Sequence, residues 1–79
     1  MYLKYQKNIY NINNYYSIIK NGDSSIHLVK KDENYSALSF LNKEMRDHVL
    51  DSIWLNIEDE AFDVDECIKK FSETHKYNL

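Results

Sequence analysis

The sequence predicts an α+β fold, with about five antiparallel strands in residues 1–41 followed by two helices in residues 42–79. Three observations predict it. Short runs rich in β-branched and aromatic residues fill the first half, each closed by a polar turn. Asn21-Gly22 lies between two such runs, and that pair is the strongest short hairpin signal in the chain. From Asn42 onward the apolar spacing changes to that of an α-helix.

Tyr2–Gln6 reads as the first strand, closed by a turn at Lys7-Asn8, and Ile9–Ile12 as the second, closed at Asn13-Asn14. Tyr15–Lys20 and Ser24–Lys30 flank Asn21-Gly22, whose two residues tolerate the positive φ angles of a type I′ turn. The polar stretch Lys31-Asp32-Glu33-Asn34 then leads to Tyr35–Leu41. Strands this closely spaced favour an antiparallel meander over parallel units joined by helices.

Met45, Val49, Leu50, Ile53, Trp54 and Ile57 share one face of the first helix. Asn42 is a good N-cap, and Glu44 and Asp47 suit the positive end of the helix dipole. A second helix begins near Asp63 or Asp65 and uses Val64, Ile68 and Phe71 as its stripe, with Cys67 beside them. Both faces of the predicted sheet carry large side chains. Leu3, Tyr5, Ile18, Ile26, Leu28, Leu38 and Phe40 are joined by Tyr2, Tyr15, Ile19 and Val29. Two short helices do not cover both faces. Either the sheet curls around its own core, as in small barrels and PH-like folds, or its second face is an interaction surface or a dimer interface.

The chain of 79 residues suits a single domain, 1–79, divided into a β-rich half at 1–41 and a helical half at 42–79. Its apolar share of 43% supports a core, and its charged share of 29% suits a soluble surface. The ends, Met1–Lys4 and Lys76–Leu79, are expected to fray. No apolar run reaches the ~18–20 residues of a membrane helix, and no secretion signal follows Met1. Cys67 is the single cysteine, so no internal disulfide forms. These features point to the cytoplasm and away from membranes. Asn, Lys, Ile and Tyr supply 33 residues, a bias toward A/T-rich codons that points to an A/T-rich bacterium, its phages or its mobile elements.

Catalytic apparatus is not expected. Cys67 and His75 stand eight residues apart on one predicted helix, ~12 Å at 1.5 Å per residue, too far for a nucleophile and its base. Gly22 is the one glycine, which excludes a glycine-rich phosphate loop and leaves no dinucleotide cofactor motif. His48 has Glu44 and Asp51 as helical neighbours, but no HExxH pattern or paired cysteines accompany it, so no metal is expected.

Charge is uneven along the chain. Residues 1–31 hold five lysines against Asp23, for +4, whereas residues 32–79 hold five basic groups against twelve acidic ones, for −7. Six acids fall within residues 58–66: Glu58, Asp59, Glu60, Asp63, Asp65 and Glu66. Some of them charge-match the second helix. As a group they form a candidate docking surface for a basic partner, with Phe62 and Leu55 as apolar anchors inside a charged rim.

In general character, though in no motif, the chain resembles phage-encoded inhibitors of bacterial defence systems. That resemblance implies a non-enzymatic protein whose acidic run occupies the basic nucleic-acid groove of a nuclease or effector. A competing expectation is a single-stranded nucleic-acid binder, with Tyr2, Tyr5, Tyr10, Tyr15, Tyr16 and Tyr35 stacking on bases among Lys4, Lys7, Lys20, Lys30 and Lys31. A structural homodimer is a third.

Overall fold

The computed structural model describes residues 1–75. Its strands are β1 (Tyr2–Tyr5), β2 (Asn8–Asn11), β3 (Ser17–Asn21), β4 (Ser25–Val29), β5 (Tyr35–Ser39) and β6 (Ala61–Asp63). The helices are α1 (Lys43–Leu55) and α2 (Val64–His75), and a 3-10 turn spans Ile12–Asn14. The fold is α+β, and the two C-terminal helices stand where the apolar spacing places them. The expected fraying of Lys76–Leu79 lies outside the described residues.

The expected single five-stranded sheet is instead two three-stranded sheets, ordered β2-β1-β6 and β3-β4-β5. The break falls at Asn11–Asn14. The Asn11 side chain accepts the Asn13 N–H at 3.1 Å and starts the 3-10 turn, and Tyr15 N–H closes it on the Ile12 carbonyl at 3.0 Å. A plain hairpin would have returned β3 along β2. This turn sends the chain into a second sheet, and only β3, β4 and β5 form the meander.

The sixth strand was not expected. Ala61–Asp63 lies inside the acidic run and pairs in parallel with β1, Tyr2 against Ala61 and Lys4 against Asp63. Three residues are too few for alternation to be read from sequence. The acids around this short strand also guard an exposed sheet edge.

Two turns differ from expectation by small shifts. The β1–β2 turn uses Gln6 and Lys7, both at positive φ (46° and 67°), one residue earlier than Lys7-Asn8. In the β3–β4 connection Asn21 pairs with Ser25, so the loop is Gly22-Asp23-Ser24 and Gly22 alone turns left-handed, at φ 58°. A left-handed glycine carries no Cβ penalty.

One core joins both sheets to both helices. Leu3 and Tyr5 come from β1, Ile26 and Leu28 from β4, and Leu38 from β5. Met45, Val49 and Ile53 come from α1, and Val64 and Phe71 from α2. Helix α1 packs on β4, and α2 packs on β1 and on α1. Asn42 caps α1 as expected, accepting the Met45 N–H at 2.9 Å. Two sheets around one core bury Leu3, Tyr5, Ile26, Leu28, Leu38 and Phe40 of the first set of large residues. Tyr2 and Ile19, from the other set of large residues, remain exposed, and Tyr15 and Val29 are half-buried.

Two polar contacts hold the layers together. The Tyr5 hydroxyl donates to the Ser39 carbonyl at 2.6 Å and accepts the Ser39 N–H at 3.2 Å, so one side chain satisfies both backbone groups of Ser39 at the end of β5. Arg46, only 2% exposed, donates through Nη1 to the carbonyls of Gly22 (3.2 Å) and Ser25 (2.9 Å). Its Nε donates to Asp47 Oδ1 at 2.7 Å. The single arginine of the chain fastens the β3–β4 loop to α1.

Candidate docking surface

The six acids do not act as a group. Asp63 ends β6 and caps α2: its Oδ1 accepts the Glu66 N–H at 3.0 Å, and Lys4 Nζ lies 3.5 Å from its carboxylate. The Glu66 hydrogen bond, followed by the charge of Lys4, holds the Asp63 carboxyl below its ordinary pKa. Asp65 accepts the Gln6 N–H on both oxygens, at 3.1 and 3.0 Å, and so clamps the left-handed β1–β2 turn onto the start of α2. Both aspartates therefore stabilise the fold.

Glu58, Asp59 and Glu60 are different. They follow the end of α1, where Asp59 N–H bonds the Asn56 carbonyl at 2.9 Å, and they lead into β6, where the Glu60 carbonyl accepts the Tyr2 N–H at 2.9 Å. Their backbones are held and their side chains are exposed. Among the described residues, none of the three carboxylates has a hydrogen-bond or ion-pair partner. Glu66 is also exposed and stands on α2 beside Cys67 and Lys70.

Of the expected anchors, Phe62 lines a depression with Asp63 and Glu66, beside His48 and Lys70. Phe62 is half-buried against the core, and Leu55 is 81% exposed at the end of α1. The apolar concavity lies on another face of that helix end. Ile12, Tyr15, Tyr16 and Ile18 line it together with Leu50, Trp54 and Ile57 from α1 and its end, and its volume is about 490 Å³. Trp54 is 73% exposed and Tyr16 70%, large values for aromatic rings that border a groove. Among the described lining residues the one charged side chain is Asp51. Ile57 is followed directly by Glu58, so groove and acidic turn are continuous along the chain.

Sequence reasoning placed Trp54 on the buried stripe. Met45, Val49 and Ile53, spaced by four, form the buried centre of that stripe, and a residue one position on is turned by ~100°. Tyr16 was assigned to a strand but stands before β3, in the connection that the 3-10 turn creates. The signal available was the pairing of a 3-10-forming Asn-rich segment with two adjacent tyrosines.

Tyr15, Tyr16, Lys30 and Lys31 share one depression, with Lys30 Nζ 6.0 Å from the Tyr15 ring centroid. Tyr5 is in the core, Tyr10 and Tyr15 are half-buried, and Tyr35 stacks on His27 at 4.2 Å on the outer face of the second sheet. Tyr2 lies on the first sheet, and Tyr16 borders the groove. Lys4 pairs with Asp63, and Lys20 with Asp47 at 3.3 Å. Outside the depression at Tyr15 and Tyr16, the set is spread over the core and other faces of the two sheets.

The other chemistry-bearing residues pack locally. His48 lies 4.7 Å from the Phe71 ring, and His75 stacks on Phe71 at 3.8 Å. Burial raises the pKa of the Cys67 thiol, against the opposing effects of a Ser52 hydrogen bond and the charge of Lys70. Among the described residues no helix is long and apolar enough to cross a membrane, and no three His, Cys, Asp or Glu side chains gather as metal ligands.

Comparison with protein-family models, curated proteins and solved structures gave no match to this chain.

Proposed function

We propose that this chain is a non-enzymatic binding protein that docks on a basic surface of another macromolecule through the acidic turn Glu58-Asp59-Glu60. The observation that carries the reading is the division of labour among the six acids. Asp63 and Asp65 are committed to the fold, whereas three adjacent carboxylates on a pinned backbone are committed to nothing within the described chain. Adjacent like charges well inside a Debye length of ~8–10 Å repel one another, so a cationic partner relieves a cost already present in the free protein. A protonated, half-buried thiol is a poor nucleophile, which favours binding over covalent chemistry at Cys67. In its specific form, the proposal has the acidic turn occupying the basic groove of a nucleic-acid-handling protein, as an inhibitor of a nuclease or defence effector would.

The test is affinity capture from a nuclease-treated bacterial lysate, with wild type compared against the variant carrying Glu58→Lys, Asp59→Lys and Glu60→Lys. A basic nucleic-acid-handling protein should bind wild type, elute with rising salt and be absent from the variant. Equal recovery by both chains would overturn the proposal. So would a recovery that nuclease treatment removes, because binding would then run through nucleic acid.

A further inference from the structure

The groove beside the acidic turn has a chemistry that the turn alone does not explain. Its walls are apolar, and the large exposures of Trp54 and Tyr16 leave two aromatic rings available for contact. Aromatic side chains at the centre of an interface commonly carry a large part of its binding energy. The charge in the groove's own lining is acidic. Asp51 lines it, and Glu58, Asp59 and Glu60 follow directly in the chain on the lining residue Ile57. Lys30 and Lys31, with Asp32, border a separate depression that shares Tyr15 and Tyr16 with the groove.

We infer that the groove accepts an apolar side chain from a partner polypeptide segment that carries lysine or arginine on the side facing Glu58–Glu60. The inference rests on the docking role of the acidic turn and adds to it an anchor and a direction. The segment's cationic flank meets Asp51 and the acidic turn, and its other flank, toward Lys30 and Lys31, is neutral or acidic. Opposite charge sets the orientation, and the apolar anchor supplies most of the residence time.

Trp54 is the single tryptophan, so its fluorescence reports occupancy of the groove directly. The probes are tryptophan-free synthetic peptides with a central leucine, a Lys-Lys-Arg flank on one side and a Ser-Glu flank on the other. Binding should shift Trp54 emission to the blue and shield it from acrylamide. Exchanging the leucine for serine, or the basic flank for glutamates, should weaken binding at least about tenfold. Trp54→Ala, followed through a labelled peptide, should weaken it as much while keeping the wild-type thermal midpoint. If the lysine-reversed acidic turn loses the peptide but Trp54→Ala and the serine peptide bind normally, the groove inference fails and the acidic-turn reading stands. If Trp54→Ala loses the peptide and the reversed turn keeps it, the predicted cationic flank is wrong. Emission that shifts with protein concentration alone would assign the groove to a second copy of the chain and overturn the inference. The absence of any shift up to about 1 mM peptide, near −4 kcal/mol of binding, would overturn it too.

Discussion

Replacing Arg46 by methionine would keep an apolar stem in place and remove the guanidinium that holds the β3–β4 loop against α1. Two carbonyls, those of Gly22 and Ser25, lose their donor, as does Asp47 Oδ1. Asp47 is 31% exposed and retains Lys20, so water and that lysine recover most of its share. Gly22 is at the surface and its carbonyl partly rehydrates, whereas Ser25 is half-buried and its carbonyl does so poorly. A hydrogen bond to a charged group contributes about 1.5–3 kcal/mol, and an orphaned buried acceptor costs about 1–3 kcal/mol, so the expected loss is about 2–4 kcal/mol. At ~0.05–0.15 kcal/mol per residue, a chain of this length has only about 4–12 kcal/mol in total. Urea unfolding followed by far-ultraviolet circular dichroism should therefore show a midpoint lowered by about 2–4 M, taking a slope near 1 kcal/mol per M. Arg46→Lys keeps the charge but lacks the planar fork that spans both carbonyls and Asp47, so it should recover less than half of the loss. A methionine variant within about 0.5 kcal/mol of wild type would refute the view that this side chain fastens the loop.

Three further outcomes follow from the same structure. The carboxyls of Asp47, bonded by Arg46, and Asp63, bonded by the Glu66 N–H, lie below the ordinary 3.8 when folded. Their contribution is therefore complete above that pH and disappears as the pH falls through the lower folded values. Asp63→Asn, which still caps α2 but carries no charge, should match wild type at low pH, fall below it at neutral pH and so flatten the acid limb; an unchanged limb in acid-titrated melts would contradict this. The raised pKa and half-burial of Cys67 predict that a thiol reagent near pH 8 labels the native chain more slowly than the urea-unfolded chain, and equal rates would contradict it. The Glu58→Lys, Asp59→Lys, Glu60→Lys variant should melt within about 3 °C of wild type, because exposed charges away from caps and networks change stability by about 0.5 kcal/mol or less. Adding Asp63→Lys and Asp65→Lys should lower the midpoint by a further ~10 °C through loss of the helix cap and the turn clamp. Equal midpoints for the triple and quintuple variants would refute the roles assigned to those two aspartates.

How much of this was legible in the sequence depends on the range of the interaction involved. Asn42 and the Met45-Val49-Ile53 spacing mark α1 because a cap and a stripe are local, and the β3–β4–β5 ladder follows from short turns between β-rich runs. The division into two sheets was not legible, because it depends on an Asn11 side chain that starts a 3-10 turn where a hairpin would serve equally well. Nor was β6, whose partner β1 lies nearly sixty residues away. The acidic run was visible as charge, but its division into caps, clamps and free carboxylates was not. Asp65 finds its donor at Gln6, across the whole chain, and Asp63 finds Lys4. Arg46 left one clue, as a lone arginine in a lysine-rich chain, placed beside the apolar stripe at Met45.

Hydrogen exchange mapped onto the chain in its purified complex with the basic protein it captures tests the docking surface most directly. Protection should concentrate at Trp54–Glu60 and around Tyr16, with the outer face of β3–β4–β5 unchanged. Protection centred on Ile19, His27 and Tyr35, with residues 54–60 exchanging as in the free chain, would contradict the acidic turn as the site of docking.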